Sequence, residues 1–177
     1  MNRAPLVNLF LFPLLFAPFS VATKTSDRNQ PMTIDSAAQE GSMLGANGKA
    51  HYSGNVVIQQ GTLEAHADTA DIFLKNGDMD RILLIGKQAS LKQEMDDGST
   101  VHGQADNIDY KIKEGIVILT GNYKVESPKG NNTGQRMIYN TQTGDMRSGN
   151  DGTRVRTTIQ PKNVTQGTLP AAKQEKI

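Results

Sequence analysis

The chain has 177 residues, with 19 Lys and Arg against 18 Asp and Glu, so its formal net charge is +1. This balance provides no basic surface of the kind that binds nucleic acid. Cysteine is absent, which excludes disulfide bonds, thiolate catalysis and Cys-based metal sites.

The first residues have the pattern of a secretory signal peptide. Arg3 provides one positive charge, residues 6–19 form an apolar run, and residues 20–22 form a small-x-small cleavage site. The apolar run is too short to anchor the chain stably in a bilayer. We therefore expect a cleavable signal peptide at residues 1–22, and a flexible lead at residues 23–29.

Residues 30–160 show almost no helical periodicity and consist of short β-prone runs separated by turn residues. The clearest runs are 55–58, 81–85 and 115–120. Turn signals rich in Gly, Asn and Asp occur at 75–78, 96–99, 113–115 and 141–145. This spacing predicts hairpins of one antiparallel all-β domain over residues 30–160. The alternation ends at Pro161, so residues 161–177 are predicted to form a mobile tail.

An internal repeat is visible when the runs are aligned with one another. Its copies are residues 67–73, 105–110 and 134–139, which agree at small, acidic and aromatic positions. Residues 34–37 look like a degenerate first copy. Two strands reach a Gly-Asn pair, at 54–55 and 121–122. A repeat of this kind, unable to bury its own apolar face, predicts a stack of hairpin layers.

Period-two alternation assigns the side chains of each strand to two faces. In the second copy Ile108, Tyr110 and Ile112 share one face, whereas Asp109 and Lys111 share the other. The same alternation turns a further set inward: Met32, Ile34, Ala70, Ile72, Leu74, Leu119, Tyr123, Val125, Met137 and Tyr139. Two interpretations of this apolar face remain open: it forms a closed β-sandwich core, or it lines a groove for acyl chains. The scarcity of large aromatic residues favours the groove slightly.

Neither a metal site nor an active site is expected. His51, His66 and His102 are not spaced to share one strand face, so no metal is predicted. Asp68 and Asp106 recur at one position of the repeat, and with Asp109 they indicate strand-end or turn chemistry rather than catalysis. The chain has no nucleophile elbow and no phosphate-binding loop. We therefore predict that it is not an enzyme and needs no cofactor.

Both ends of the stack should expose unpaired strands. The first, Met32, Thr33 and Ile34, carries no charge, and only Pro31 offers partial protection. The last runs over Val155, Arg156, Thr157, Thr158 and Ile159. Such edges invite strand addition. Pairing of one edge with the opposite edge of another molecule does not close on itself, so linear head-to-tail oligomers are expected.

Six stretches, at 30–35, 52–62, 65–68, 103–110, 119–122 and 154–161, carry a resemblance to a known family. In this order they resemble the OstA-like family of periplasmic lipopolysaccharide-transport proteins. Gln135 departs from the family, which usually has an acidic residue there, and this weakens the third repeat copy. The resemblance implies a V-shaped antiparallel β-jellyroll with a hydrophobic interior, located in the periplasm.

The resemblance also implies that the interior holds the lipid A acyl chains of lipopolysaccharide. Family lipid contacts carried over to this chain fall on Met32, Ile34, Leu91, Tyr110 and Ile112, of which Leu91 is not placed by alternation. The full predicted lipid-binding groove is Met32, Ile34, Ile72, Leu91, Ile108, Tyr110, Ile112, Leu119, Tyr123, Met137 and Tyr139.

Partners follow from the same resemblance. Family members stack head to tail and bridge the inner and outer membranes for lipopolysaccharide transport and outer-membrane assembly. The N-terminal edge receives the inner-membrane protein LptC, and the C-terminal edge meets the N-terminal domain of the outer-membrane protein LptD. Because this chain has no nucleotide-binding loop, the driving force is expected from an ATP-driven partner. The alternative is a closed-core structural β-repeat protein of the periplasm without lipid cargo.

Overall fold

The computed structural model describes residues 27–161. The predicted signal peptide, residues 23–26 of the lead and residues 162–177 of the predicted tail lie outside the described residues. The described strands are β1 (Met32–Asp35), β2 (Ala38–Ser42), β3 (Lys49–Gln60), β4 (Leu63–Lys75), β5 (Asp78–Glu94), β6 (Thr100–Lys111), β7 (Ile116–Ser127), β8 (Gly130–Asn140), β9 (Met146–Ser148) and β10 (Arg156–Ile159).

The end of the predicted flexible lead differs from the expectation. Asp27–Asn29 form a short 3₁₀ helix, and the side chain of Asp27 is buried. The Asp27 carboxylate accepts a hydrogen bond from the Thr62 hydroxyl at 2.5 Å, and the Asp27 carbonyl accepts one from the backbone N–H of Gln30. The bond to Thr62 attaches the end of the lead to the turn between β3 and β4.

All the strands belong to one antiparallel sheet with the order β1-β3-β4-β5-β6-β7-β8-β10, in which β2 also pairs with β3 and β9 with β8. The all-β prediction is therefore confirmed. The predicted turns join consecutive strands, and their residues explain why. Asn76 and Gly77, at φ 55° and 85°, both have the positive φ that a tight two-residue hairpin turn requires.

Each pairing between the long strands β3 to β8 changes register at the same level of the sheet. The shifts at this level fall at Ser53/Val56, His66/Thr69, Ile85/Ala89, Gln104/Asn107 and Thr120/Tyr123, and the β4–β5 pairing has one further shift at Phe73/Leu74. Extra residues on one strand of a pair bend that strand and increase its twist. Because the bulges are aligned, they form one bend line across the whole sheet, which we call the bulge row.

The repeat signature supplies the chemistry of the bulge row. Gly121 and Asn122 have φ values of 81° and 47°, a conformation that Gly and Asn tolerate best. The Asp106 carboxylate accepts a hydrogen bond from the Asn122 side-chain amide at 3.1 Å. The Asp68 carboxylate accepts one from the backbone N–H of Lys87 at 3.0 Å. The expectation of strand-end or turn chemistry for these Asp residues was therefore wrong, since they stabilise bulges in the middle of strands.

The third and the degenerate copies occupy equivalent places. Gln135 accepts a hydrogen bond from the backbone N–H of Asn122 at 3.2 Å, so the amide replaces the usual carboxylate at the bulge. In the degenerate copy, the N–H of Ala37 donates to the carbonyl of Gly54 at 3.0 Å. All four copies therefore meet the same bend line.

The bulge row divides the sheet into two arms. The first arm comprises residues 38–42, 49–53, 69–75, 78–85, 107–111, 116–120, 136–140 and 146–148. The second arm comprises residues 32–35, 56–60, 63–67, 89–94, 100–105, 123–127, 130–134 and 156–159. Near the bulges the buried core uses small residues, Ala67, Ala70, Ala89 and Ala105, which let the arms approach each other closely. The result is the predicted V-shaped β-jellyroll of hairpin layers.

Charged residues pair across strands on the outer face of the first arm. Arg81 donates two hydrogen bonds to the Asp109 carboxylate, at 2.6 and 2.9 Å, which raise the pKa of Arg81. Asp71 lies 2.7 Å from His51 and 3.2 Å from Lys49. Burial is the largest single influence on Asp71 and acts to raise its pKa. The hydrogen bonds and positive charges of His51 and Lys49 together outweigh burial, so the pKa of Asp71 lies below 3.8.

Gly121 tests the bulge row. A side chain at Gly121 would meet the Asp106 carboxylate, so Gly121→Ala should lower the free energy of unfolding by about 2 to 4 kcal/mol. Gly77 is the matched control, because it has a similar φ of 85° but no neighbouring atom within 4 Å of an added Cβ. Gly77→Ala should cost only about 1 to 2 kcal/mol. Urea unfolding measures both, and equal losses would show that the Asp106 contact does not matter.

Asp71 makes stability depend on pH. Since its folded-state pKa is below 3.8, its contribution is present above that value and is lost as the pH falls through the lower folded pKa. The difference in free energy of unfolding between the wild type and Asp71→Asn should be full at about pH 5 and shrink steadily below it. Chemical unfolding over this pH range provides the measurement. A difference unchanged at strongly acidic pH would contradict the prediction.

Candidate functional site

The interior of the fold is built from rows of side chains that pair directly across neighbouring strands. One row crosses the first arm: Ala50, Ile72, Ile82, Tyr110, Val117, Tyr139 and Met146. The corresponding row of the second arm is Ile34, Ile58, Ala65, Leu91, Gly103, Val125, Asn132 and Thr157. Alternation aims both rows into the space between the arms. The two rows are therefore the facing walls of the interior.

A cavity of about 430 Å³ lies between these walls. Its first-arm lining includes Ile82, Leu84, Ile108, Tyr110, Val117, Met137, Tyr139 and Met146, and its second-arm lining includes Ile58, Leu63, Ala65, Leu91, Val101 and Val125, with Met95 in the turn beyond β5. Aliphatic, Met and Tyr side chains dominate both sides. Its volume is within the range of small-molecule binding sites, about 300 to 1,000 Å³.

The structure brings only part of the predicted groove together. Leu91, Ile108, Tyr110, Met137 and Tyr139 line the cavity. This places Leu91, which alternation alone had not assigned, directly opposite Gly103 in the wall of the second arm.

The other predicted groove residues do not line the cavity. Ile72, Leu119 and Tyr123 are at most 3% exposed and belong to the closed part of the core. Met32, Ile34 and Ile112 are partly buried and pack against that core from its margins. The interior therefore contains both a packed core, which includes Ile72, Leu119 and Tyr123, and a cavity lined by other residues of the same inward face.

Several cavity residues were missed because they lie in continuous apolar runs. In residues 82–85 and 116–119 every side chain is aliphatic, so alternation cannot choose a face. The pairing of Ile82 and Val117 with Tyr110 decides the matter, since Tyr110 already faces inward. The register between neighbouring strands identifies these residues as inward-facing, and no pattern within a single run of the sequence does.

Most polar lining residues of the cavity lie near strand ends, at its rim, and two further ones, Asp27 and Thr141, are buried. Gln60, Gln93, Ser99, Ser127 and Lys129 line the rim, and Lys129 lies 3.9 Å from Asp97. Deeper in the cavity, burial raises the pKa of Tyr139, so its hydroxyl stays neutral at physiological pH. An apolar interior with a polar rim suits a ligand that has hydrophobic chains and a hydrophilic head.

The histidines and acids that could suggest other chemistry are engaged elsewhere. His51 contacts Asp71 and His66 contacts Glu64, both at 2.7 Å, while His102 is exposed. Within residues 27–161, no group of three or more His, Asp or Glu side chains is placed to hold a metal ion. In the same part of the chain, no helix has the length and hydropathy needed to cross a bilayer.

The predicted edge strands lie at the ends of the sheet. β1 begins the strand order and β10 ends it, both in the second arm. Ile159 in β10 is 80% exposed, and Val155 precedes that strand. Sequence reasoning missed β2 and β9, which form the corresponding edges of the first arm. Each end of the sheet therefore presents two short strands, one from each arm.

Comparison with known proteins agrees with this architecture. The family described as LptA/(LptD N-terminal domain) LPS transport protein matches residues 33–145. The lipopolysaccharide export system protein LptA of Escherichia coli K12 is 29% identical over 179 residues, covering 97% of this chain and 96% of that protein. The lipopolysaccharide export system protein LptH of Pseudomonas aeruginosa is 27% identical over 151 residues, covering 80% and 85%.

A solved structure gives the same result in three dimensions. The crystal structure of LptH, described as the LptA homologous periplasmic component of the lipopolysaccharide transport device of Pseudomonas aeruginosa, superposes with a TM-score of 0.66 at 25% identity. The match covers 77% of this chain and 99% of that chain. The chain therefore belongs to the LptA/LptD N-terminal domain family of lipopolysaccharide transport proteins.

Proposed function

We propose that this protein binds lipopolysaccharide in the periplasm through its lipid A acyl chains and carries it between the inner and outer membranes without enzymatic activity. The observation that supports the proposal best is the apolar cavity between the arms, with aliphatic, Met and Tyr walls and a polar rim. Acyl chains lie in the cavity and the sugars remain outside. The N-terminal signal pattern and the similarity to LptH, a periplasmic component of lipopolysaccharide transport, support the location.

The energetics are consistent with this role. Each buried methylene contributes about 0.8 kcal/mol, so about ten of them give roughly 8 kcal/mol. That is enough to keep a lipid out of water without binding it irreversibly. The residues proposed to contact the chains are Leu91, Ile108, Tyr110, Met137 and Tyr139, with Met32, Ile34 and Ile112 at the margins of the core reached by a chain that extends beyond the cavity.

The bridge is proposed to form through the sheet edges. LptC joins the N-terminal edge, LptD joins the C-terminal edge, and further copies of this chain extend the stack head to tail. Support comes from β1 and β10, whose outer backbone groups face no described strand of this chain. Because the two ends differ, each contact is heterologous and the assembly grows linearly. The closed-core alternative lacks a comparable observation, since it does not account for the cavity.

Photo-crosslinking tests the cargo. Tyr110 and Asp109 are neighbours on β6 that face opposite sides of the sheet, and only Tyr110 lines the cavity. A benzophenone side chain at position 110 should capture lipopolysaccharide, whereas the same group at position 109 should capture little. Mass spectrometry of the adduct identifies lipid A. Equal capture at both positions, or none at either, would refute the cavity as the lipid site.

Truncation tests the joint. Removing residues 154–177 deletes β10 and should leave a folded protein that sediments as a monomer and does not bind LptD, while LptC binding through β1 remains. Removing residues 160–177 alone keeps β10 and is the matched control, which should still form concentration-dependent oligomers. If the protein that lacks residues 154–177 oligomerises like the full chain in sedimentation velocity, the C-terminal edge is not the joint.

A further inference from the structure

The two walls of the interior differ in where they stop being apolar. From Ile34 to Val125 the second-arm row contains only aliphatic residues and Gly. It then continues with Asn132, which is 7% exposed, and with Thr157 of the edge strand. A buried amide at the end of an apolar row requires an explanation, because burying a polar group is unfavourable unless it is hydrogen-bonded.

Asn132 is hydrogen-bonded to three other strands. Its side-chain oxygen accepts a bond from the Tyr123 hydroxyl of β7 at 2.5 Å, and a longer one from the Ser148 hydroxyl of β9 at 3.4 Å. Its amide nitrogen donates to the Thr157 hydroxyl of β10 at 2.7 Å. Since β9 belongs to the first arm and β10 to the second, one side chain connects the last strands of both arms.

This connection lies at the boundary of the cavity. On the second arm the lining reaches Val125, and Asn132 is its direct cross-strand neighbour. On the first arm the lining includes Met137, and Ser148 is its direct cross-strand neighbour. Neither Asn132 nor Ser148 lines the cavity. The hydrogen bond between them therefore crosses from arm to arm beside the lining, which on the first arm extends to Met146 of β9.

We propose that Asn132 is a positioning residue that restrains the separation of the arms at the C-terminal end of the cavity and sets how far acyl chains extend toward that end. This rests on the proposed lipid-binding function. By tying the arms together, Asn132 fixes their separation at the C-terminal end. Its amide also presents a polar barrier that methylene groups do not cross without disrupting its hydrogen bonds. Cargo leaving in this direction must open the tie, so Asn132 retains it in the cavity.

The opposite end of the cavity is also lined by a buried polar residue, Asp27, whose carboxylate accepts a hydrogen bond from the Thr62 hydroxyl. The cavity lining reaches Ile58 there, and Ile34, Met32 and Met43 pack at the margin of the core beyond it. Moving these aliphatic side chains aside breaks no side-chain hydrogen bond. The Asp27–Thr62 bond stays at the edge of the second arm, whereas the bonds of Asn132 join both arms, so the restraint on arm separation lies at the C-terminal end.

A double variant removes the tie while keeping the fold. Tyr123→Phe with Asn132→Leu replaces both buried polar groups, and the remaining Ser148 and Thr157 hydroxyls are close enough to the surface to bond water. Asn131→Leu is the matched control, because Asn131 is adjacent in β8 and alternation places it on the opposite face. Circular dichroism and thermal melting confirm that each variant folds.

Two measurements test the proposal. Spin labels at Arg147→Cys and Thr158→Cys report the separation of the edge strands of the two arms, and no native cysteine interferes. The double variant should at least double the width of the distance distribution, and the Asn131→Leu control should not. Protein loaded with fluorescent dodecanoic acid should release it to phospholipid vesicles about five- to tenfold faster in the double variant, the factor that one net hydrogen bond represents.

If the spin-label distance distribution of the double variant is unchanged, Asn132 does not hold the arms together. If the rate of probe release is unchanged, Asn132 does not retain the cargo. If the probe binds neither the wild type nor the variants, the proposed lipid function fails. The spin-label distances still decide in that case whether Asn132 holds the arms together.

Discussion

The alignment of the bulges is the constraint on which the rest of the structure depends. A single sheet of this many strands has one continuous apolar face, and it buries that face only by bending over itself. Each long strand bends at the same level, so the bends add up to one line and produce two arms. If the bulge of one strand were displaced by two residues, the inward side chains of that strand would no longer align with either row across the sheet. The Gly-Asn pairs and the acidic repeat positions stabilise this line, and the cavity is its consequence.

The overall fold was predictable because its determinants are local. Turn residues such as Asn76 and Gly77 mark the hairpins, and the alternation in residues such as Tyr110 and Asp109 gives the inward face. The repeat was also visible, but its role was misassigned. An Asp that recurs once per strand pattern suggests a strand end, whereas Asp106 lies in the middle of β6, opposite Gly121 and Asn122. A bulge interrupts the alternation of a strand, so the β-prone run in the sequence does not reveal the full length of that strand.

The candidate site was less predictable, because a cavity residue must face inward and must also lie where the two arms are far enough apart to leave space. Alternation places Ile72 and Tyr110 on the same inward face, and these residues are separated by only one strand in their row. Ile72 nevertheless lies in closed core and Tyr110 faces open space. The difference arises from the separation of the arms at each point, which depends on twist and on side chains of the facing wall. No pattern within one strand contains that information.

A lipid carrier has to satisfy two opposing requirements, since it must hold its cargo and also release it. A uniformly apolar interior satisfies the first by burying methylene groups, but it offers a chain no preferred stopping place. A buried polar residue supplies such a place, because crossing it costs hydrogen bonds while resting beside it costs nothing. Asn132 is such a residue at the C-terminal end, and its partners Ser148 and Thr157 belong to the edge strands that a neighbouring molecule would contact in the proposed stack. A molecule that paired with these edge strands, as proposed, would therefore contact the strands that carry two of the three hydrogen-bond partners of Asn132.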